Sequence, residues 1–423
     1  MKNFAEIKIG VMVELTRAFG RDLCAGITAY AQEHEGLSPF FIDVKALKDH
    51  SRLSSFDGFI ARVMNDDIAQ RLAATKKPVV DTYYEKPRRG FAIVKTNHAR
   101  LGRIAAEHFL ERKFTTFGFC GFSGGRFSDY NRLSFCRALS AKGHSCHCYE
   151  PPPQVRYDFD ASVLINERLN RAPDAKSLVR WVKKLPKPIA VFCPNDLRAW
   201  QLLHVCRDCG INVPHEVAIL GLDNDVLVCG FSKPTISSID PNTMEIGRMA
   251  IRTLVEIIGN PALARKPIVR QVDPTGIVER DSTSVYPINP PWLSDALIFI
   301  KRHVQDHLTA SEVYAYLNRS HTAVDAAFRK VLGRTVQKTI AASRLETACQ
   351  LLRTSDLPVM RIAEKCGFAS QEYFSRSFSE ENGMPPESWR KKNRCQTRLC
   401  ARNPPASRFS SNTGIRRNPP TIP

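Results

Sequence analysis

The sequence has no long apolar run. No stretch approaches 18 consecutive apolar residues, and the N-terminal MKNFAEIKIGVMVEL passes directly into a strand-like pattern without the apolar core of a signal peptide. These absences exclude an ordinary membrane span and favour a protein that is not secreted. We therefore expect a cytoplasmic protein with no membrane partner.

The sequence also lacks the P-loop lysine and the HExxH motif of two large enzyme classes. Its Gly-rich stretch, GFSGGRF, does not have the spacing of a dinucleotide-binding or phosphate-binding loop. The acidic residues at predicted strand ends stand singly, whereas sugar-converting enzymes use paired carboxylates. We expect no catalytic residue, no cofactor and no enzymatic activity.

The thirteen cysteines are an odd number scattered through apolar segments, which favours free thiols in a reducing compartment over a disulfide framework. Two groups have the short spacing and residue types of metal ligands. They are Cys206 with Cys209 in CRDCG, and His144, Cys146, His147 and Cys148 in GHSCHCYE. Their helix and strand patterns favour buried thiols, so we expect no metal site. A metal or redox sensor remains the alternative function.

Acidic residues are outnumbered by basic ones, 42 to 61, and the net charge of +19 suggests an anionic partner such as nucleic acid. The excess is uneven, because residues 391–423 have eight basic and no acidic residues, whereas 291–390 have 13 and 11. Charge alone is therefore weak support for DNA binding. The composition of 393–423, rich in Pro, Asn, Arg and Ser, predicts a disordered basic tail.

The first two thirds of the chain alternate short β-branched runs with helical patterns. Strand, helix, strand at this spacing predicts parallel sheets covered by helices, and the number of strands suggests two lobes. We assign residues 1–285 to a two-lobed α/β sensor domain. The proline-rich YPINPPW, residues 286–292, is expected to be a linker.

Residues 293–392 have the pattern of short helices without convincing strands, so we expect an all-α domain. A faint repeat has an offset of 50 residues: Ser320 matches Ser370, Phe328 matches Phe378, and Gly333 matches Gly383. The segment from Val336 to Arg353 has helical periodicity and lies between the two copies. The pattern predicts two similar units joined by one long helix.

The second copy contains two short helices separated by a tight turn. Gly367 can end the first helix in a left-handed conformation, and Ser370 can cap the second. On that second helix one arc is polar and the other apolar, a geometry that suits a DNA major groove. The polar arc has Gln371, Glu372, Ser375, Arg376 and Ser379; the apolar side has Tyr373, Phe374 and Phe378. By itself, a helix-Gly-helix pattern is more often a helical hairpin with a solvated outer face.

Several motifs together resemble the AraC family of transcription factors: RL...A..LL in the linking helix, IAEKCGF, YFSRSF, and a Gly-x-x-Pro before Trp389. The resemblance implies two helix-turn-helix units that engage successive major grooves of double-stranded DNA. It implies base contacts by Gln371, Glu372 and Arg376, with Ser375 near the backbone. In the first unit the recognition helix should begin at Ser320, with His321, Thr322, Asp325 and Ala326 facing out and with Arg329 available to anchor phosphates. We expect this unit to read fewer bases, because Ala326 stands where family members often have a long polar residue.

The sensor domain should have a cleft at the carboxyl ends of its strands, the usual place for a small ligand in such folds. Polar and aromatic residues at these ends could bind the hydroxyls and the apolar face of a sugar. The candidates are Arg17, Phe19, Arg21, Asn97, Phe127, Arg132, Asp196, Asp223 and Asn224. For any one of them, a helix cap or a loop hydrogen bond is an equally good interpretation.

Two stretches, PNDLRAWQLLHVCRDCGINVPHEVAILGLDND and IVERDST, resemble the LacI and periplasmic sugar-binding superfamily. A sensor at the N-terminus followed by AraC-type units resembles a group of pentose-responsive regulators. This resemblance implies D-xylose or a related pentose as effector, activation by bound sugar, and an interaction with RNA polymerase. We expect a homodimer in which sugar closes the two lobes and thereby sets the spacing of the DNA-binding domains.

Overall fold

The structure is a computed structural model that describes residues 6–43, 53–83, 88, 90–122, 125–152 and 174–393. Its first part, through residue 283, alternates strands and helices. In chain order these are β1 (Ile7–Met12), α1 (Ala18–Glu33), β2 (Leu37–Phe41), β3 (Gly58–Ala61), α2 (Asp66–Ala74), β4 (Val79–Asp81), β5 (Phe91–Thr96), α3 (His98–Glu111), β6 (Phe117–Phe119), α4 (Arg126–Ser140), β7 (His147–Cys148), α5 (Ala175–Lys184), β8 (Ile189–Phe192), α6 (Asp196–Asp208), β9 (Val217–Leu222), α7 (Val226–Phe231), β10 (Ser237–Asp240), α8 (Thr243–Gly259), β11 (Val269–Val272) and β12 (Gly276–Val278).

The second part consists of helices. They are α9 (Pro291–His303), α10 (Ala310–Leu317), α11 (His321–Leu332), α12 (Val336–Thr354), α13 (Val359–Lys365), α14 (Gln371–Asn382) and α15 (Pro386–Asn393). Within the described ranges, no helix has both the length and the apolar character needed to cross a membrane. The predicted disordered tail lies outside the described residues, apart from Asn393 at the end of α15.

The two predicted lobes each contain a six-stranded sheet. The first sheet has the order β11-β5-β4-β3-β1-β2, and all of its neighbouring strands are parallel. The second has the order β12-β10-β9-β8-β6-β7 and is parallel except for β12, which pairs antiparallel with β10. The prediction of a two-lobed α/β domain with parallel sheets is confirmed.

The chain crosses between the lobes three times, and side-chain hydrogen bonds tie the crossings together. Asn97, on the first crossing, donates from Nδ2 to Oδ1 of Asp273 on the third, at 2.8 Å. Asn242, on the second, donates from Nδ2 to the Asp273 carbonyl at 3.3 Å. Asn97 also caps α3 by accepting from the Arg100 amide. These three crossings form a hinge beside the cleft.

The core of the second lobe contains a fully buried ion pair. The Arg198 guanidinium donates two hydrogen bonds to the Asp174 carboxylate, at 2.7 and 3.0 Å, and neither side chain is exposed. The Phe122 and Tyr149 rings lie within 5.3 Å of the guanidinium carbon. A buried charge of this kind depends on its partner, since water cannot replace the missing interaction.

The linker predicted at residues 286–292 is partly structured. α9 already begins at Pro291, because proline is well suited to the first position of a helix. Tyr286 packs on the apolar core of the first helical unit and donates its backbone amide to Ser294 Oγ at 2.9 Å. Two ion pairs, Lys301 with Glu279 and Arg302 with Asp281, also join α9 to the second lobe.

The helical domain contains the predicted repeat. α11 and α14 each begin after a serine whose hydroxyl accepts from the amide three residues on, and each ends at a glycine with φ of 70°. Each unit has its own apolar core, and α12 lies between them. One contact between the units is very close: a Cβ on Gly367 would lie 2.7 Å from the Val304 carbonyl oxygen.

Asp174→Asn should destabilise the second lobe by about 3–5 kcal/mol, because it leaves the buried Arg198 charge without its counter-ion. Urea unfolding monitored by tryptophan fluorescence measures this, since Trp181 and Trp200 pack on the same core. Asp67→Asn is the matched control, because it breaks an exposed pair with Arg71 and should change stability by less than about 0.5 kcal/mol. Equal effects of the two substitutions would contradict the assigned role of the buried pair.

Gly367→Ala should destabilise the helical domain by more than Gly333→Ala. Both glycines have φ near +70°, so each substitution costs about 1–2 kcal/mol in the left-handed region. Only the Gly367 variant adds a clash with backbone, since no atom lies within 4 Å of a Cβ at Gly333. Circular dichroism during urea unfolding measures the difference, and equal losses would show that the units tolerate a wider separation at Gly367.

Candidate ligand cleft and DNA-binding surface

A cavity lies between the two lobes, beside the hinge. The space between its walls, including the open mouth, is about 760 Å³. Loops at the carboxyl ends of β1 and β3 contribute from the first lobe, and the start of α4 and the loop after β9 contribute from the second. Arg17, Phe19, Arg62, Phe127, Asn131 and Asp223 are among the residues that line it.

Four of the nine predicted ligand residues line this cavity, two from each lobe. They are Arg17 and Phe19 from the first lobe, and Phe127 and Asp223 from the second. Their convergence follows from the parallel sheets, because the carboxyl ends of the strands in both lobes face the same cleft. Arg21, Asn97, Arg132, Asp196 and Asn224 do not line it, and each has another structural role.

Three of these five residues lie at the rim, in the hinge or on the outer surface. Arg21, on α1, forms an ion pair across the lobes with Asp225, at 3.2 Å. Asn97 belongs to the hinge described above. Arg132 lies on the solvent-facing side of α4, where its nearest carboxylate is that of Asp129, 3.9 Å away.

The other two residues hold the loop that follows β9. Asp196 is buried beneath this loop, and its Oδ2 accepts from the Asp225 amide at 2.7 Å. Asn224 accepts on Oδ1 from Nη2 of Arg280 at 2.8 Å. Asp223 and Asn224 have φ of 101° and 51°, so two successive non-glycine residues are in the left-handed half of the map. Such strain persists where the surroundings fix it, and here it places the Asp223 side chain in the cavity.

Arg62, which follows β3, lines the cavity but is absent from the predicted set. Its guanidinium carbon lies 4.5 Å from the centre of the Phe19 ring and 5.0 Å from that of Tyr83. Nη1 also donates to the Glu14 carboxylate. The strand-end rule that selected Arg17 applies equally to Arg62 in GFIAR. Lys95 and Asn131 also line the cavity, but both lie within regular elements and gave no strand-end signal.

Burial and neighbouring charges shift the pKa values of the acidic and basic groups in the cleft. Burial lowers the pKa of Arg17, and the neighbouring Arg62 charge lowers it further. Burial raises the pKa of Asp223 well above its ordinary value, and the nearby Asp196 adds to that effect. Burial also raises the pKa of Asp196 to about 7, against the opposing effect of its hydrogen bonds. The Asp196 carboxyl is therefore only partly ionised near neutral pH.

The predicted DNA-contacting residues of the first unit lie at and after the start of α11. Ser320 caps the helix, and His321, Thr322 and Arg329 are exposed. The His321 ring also stacks on Tyr314, with the ring centres 4.1 Å apart. Asp325 points back into the domain, where its Oδ1 accepts from the Tyr314 hydroxyl and from the Val336 amide, both at 3.2 Å.

In the second unit, α14 presents Gln371, Glu372 and Arg376 to solvent, and Ser375 is half-buried. Phe374 and Phe378 are fully buried, as the periodicity predicts. Tyr373 was expected on the apolar side, but its side chain is 49% exposed. Its ring lies beside Phe368 at the turn and beside the Arg376 guanidinium, so the exposed face of α14 is wider than predicted.

Of the two cysteine groups singled out in the sequence, part of the second lies close together in the structure, where Cys146 and Cys148 are near Cys136. Cys206 is fully buried in the apolar core of the second lobe, and His144 packs edge-on against Phe117. In the part of the chain that the structure describes, one group of three possible metal ligands has its ligand atoms within 4.8 Å of one another. It consists of Cys136, Cys146 and Cys148. The comparisons reported below do not support the metal or redox sensor alternative.

The sequence does contain one motif typical of enzymes, since GFSGG, residues 121–125, matches the G-x-S-x-G spacing of a hydrolase nucleophile elbow. It lies between β6 and α4, a strand-to-helix connection like that of an elbow. Ser123 and Gly124 are outside the described residues. Missing motifs therefore do not by themselves exclude an enzyme.

Two family models match the chain. Residues 106–283 match the periplasmic binding protein-like domain, and residues 314–392 match a helix-turn-helix domain. The first match covers most of the second lobe. It also includes α8 and β11, which belong to the first lobe. The second spans both predicted DNA-binding units from α10 onward.

The chain is also similar to whole proteins. It is 23% identical over 396 residues to the xylose operon regulatory protein of Haemophilus influenzae, covering 90% of this chain and 98% of the relative. It is 24% identical over 392 residues to the protein of the same name from Escherichia coli K12, covering 90% and 96%. These alignments extend through both domains.

Two solved structures have a similar fold. The structure of the xylose-binding transcription activator xylR covers 92% of this chain and 98% of its own, with a TM-score of 0.54 and 22% identity. A LacI family transcriptional regulator from Enterococcus faecium with bound ribose covers 67% and 100%, with a TM-score of 0.52 and 19% identity. The predicted order of domains is confirmed by these matches.

Asp196→Asn should change how stability depends on pH. Because the pKa of Asp196 is raised to about 7, the folded protein holds a proton that the unfolded chain releases near pH 4. This group therefore lowers the free energy of unfolding as pH rises from about 4 to 7. Melting curves recorded from pH 5 to 8 should show that the variant becomes more stable relative to the native chain as the pH rises. Asp129→Asn, which changes an exposed carboxylate, should show the same dependence of melting temperature on pH as the native protein. The same dependence for Asp196→Asn would contradict the prediction.

The comparisons agree with the architecture of the structure. This chain has a segment similar to the periplasmic binding protein-like domain followed by a segment similar to a helix-turn-helix domain, and over 90% of its length it is similar to xylose operon regulatory proteins.

Proposed function

We propose that this protein is a sugar-responsive, DNA-binding transcription regulator. The observation that carries the proposal is the combination of a two-lobed cleft with two exposed recognition helices in one chain. In the cleft, Arg17 from one lobe and Asp223 from the other present a donor and an acceptor to the same space. Such groups suit the hydroxyls of a carbohydrate, and the Phe19 and Phe127 rings suit its apolar face.

The effector is a sugar or a sugar derivative. Two relatives carry xylose in their printed names, and a LacI family structure contains ribose. D-xylose is therefore the first neutral compound to test. Of the nine residues predicted from the sequence, four contact the ligand, four hold the hinge, the rim and the β9 loop, and Arg132 lies on the outer side of α4.

The DNA-binding surface consists of α11 and α14. Gln371, Glu372 and Arg376 contact base edges, because Gln and Arg can make paired hydrogen bonds in the major groove. Ser320, His321, Thr322 and Arg329 position the first unit, mainly through phosphates. Asp325 acts indirectly, by holding α11 against α10 and α12.

Ligand binding is coupled to DNA binding through the second lobe. Glu279 receives the Arg112 guanidinium from α3 and the Lys301 ammonium from α9, both at 2.6 Å. The Arg112 and Lys301 charges hold the pKa of Glu279 well below its ordinary value against the effect of burial. A rotation of this lobe would therefore carry α9 with it. The protein acts as a homodimer at a promoter in the cytoplasm, where this rotation sets the spacing of its two DNA-binding domains. The form with bound effector activates transcription together with RNA polymerase.

A thermal-denaturation scan against sugars and sugar derivatives tests the sensor part of the proposal. A ligand at 100 times its dissociation constant stabilises the native state by about 2.7 kcal/mol. We expect at least one member of the panel to raise the melting temperature, and the Asp223→Ala variant to lose the shift while it retains its fold. The sensor assignment fails if no compound changes the melting temperature.

Arg376→Ala should weaken binding to a duplex selected by the native protein from a random library, by about 1–3 kcal/mol, and should relax the preference at one base position. Arg361→Ala is the matched control, because Arg361 is exposed on α13 and pairs there with Glu364. Gel-shift titrations at fixed salt measure both. An equal loss in the two variants would indicate a general charge effect and would remove Arg376 from base recognition.

A further inference from the structure

The first-lobe wall of the cleft is positively charged. Arg17, Arg62 and Lys95 all line the cavity, whereas Asp223, on the opposite lobe, is the one carboxylate among the described residues that line it. Two other carboxylates lie near the first-lobe wall but already have partners. Glu14 accepts from Arg62, and Asp81 accepts from the amides of Val63 and Tyr83. The lining therefore has an excess of positive charge.

The Arg62 guanidinium is held in a fixed orientation. It lies between the Phe19 and Tyr83 rings, and only 12% of its side chain is exposed. The Glu14 carboxylate neutralises one edge of the group. The flat guanidinium is thus oriented before any ligand arrives, as is typical of sites that recognise carboxylate or phosphate.

Arg17 differs from Arg62 because its charge has no hydrogen-bonded partner. Within the described part of the chain, its side chain forms no hydrogen bond and no ion pair, and its Nε is buried without an acceptor. Glu14 and Asp223 interact with it electrostatically, but neither forms an ion pair with Arg17. A buried N–H without an acceptor is costly, so a ligand that supplies an acceptor to Arg17 gains a corresponding advantage.

The second-lobe wall has a different chemistry. Asp223 accepts no hydrogen bond from any described residue, so its carboxyl oxygens are available to ligand hydroxyls. Nearby, Oδ1 of Asn131 lies 2.8 Å from Nδ1 of His98, and the Phe127 ring covers the space beside them. This wall therefore offers polar groups and one aromatic face, without a cation.

We infer that the effector is a sugar that carries an acid group, a carboxylate or a phosphate, placed against Arg17, Arg62 and Lys95, with its hydroxyls towards Asp223. The inference deepens the proposed function and depends on it. A neutral pentose would fill the same cavity but would leave the Arg17 charge without a counter-ion. The two walls thus distinguish an acidic sugar from its neutral parent.

The test is isothermal titration calorimetry on the full-length protein with matched pairs of compounds. The pairs are D-gluconate and D-glucuronate against D-glucose, and D-ribose 5-phosphate against D-ribose, with D-xylose and D-xylonate added because of the relatives. We expect at least one acid to bind at least ~10-fold more tightly than its neutral parent, about 1.4 kcal/mol. Comparing the carboxylate compounds with D-ribose 5-phosphate shows which of the two acid groups the site prefers.

The Arg17→Gln variant tests the assigned contact. It should reduce binding of the preferred acid at least ~10-fold and reduce its preference over the neutral parent, because a charge-assisted hydrogen bond is lost. Arg132→Gln is the control, since this arginine lies on the outer side of α4. It should bind both compounds as the native protein does. Melting temperatures of both variants without ligand check that each remains folded.

A neutral sugar that binds as tightly as its acid would overturn the inference and leave the sugar-responsive regulator standing. If no compound of either class binds, the sensor part of the proposed function fails together with the inference. If the acid is preferred but Arg17→Gln retains that preference, the assignment of the acid group to this wall is overturned.

Discussion

The hydrogen bonds around Asp273 are the constraint on which the sensor domain depends. Its carboxylate accepts from Asn97 and its carbonyl from Asn242, so a single residue joins all three crossings between the lobes. Both lobes are parallel sheets whose carboxyl ends face this hinge. The position of the cleft and the opposition of Arg17 and Asp223 follow from that arrangement. Rotation about short, hydrogen-bonded crossings can change the cleft without repacking either core.

Much of the fold could be predicted because its signals are local and repeated. The β-branched runs mark buried parallel strands, and Gly367 and Ser370 mark the turn of the second helical unit. The 50-residue repeat appears in the structure as two serine caps and two glycine ends. The predictions for Tyr373 and for the linker were less accurate. Tyr373 borders the turn rather than the core, and Pro291 starts a helix that the proline count had assigned to a connection.

The cleft was harder to predict, because a residue at a strand end can serve the ligand, the hinge or the loop behind the site. Asn97 and Asp196 have the same sequence context as Arg17 and Asp223, yet one belongs to the hinge and the other supports the β9 loop. Arg62 gave the same strand-end signal but was not selected. Its role depends on Phe19 and Tyr83, which come from different strand ends, and sequence order does not show that they meet.

The central claim is that ligand closure of the lobes and DNA binding by the helical domain are coupled. The most direct measurement is operator affinity with and without the compound that stabilises the protein most, paired with the affinity for that compound with and without operator. Linkage requires the same factor in both directions, and we predict a factor of about 5–150. An operator affinity that is unchanged at saturating ligand would contradict the account, because the two domains would then act independently.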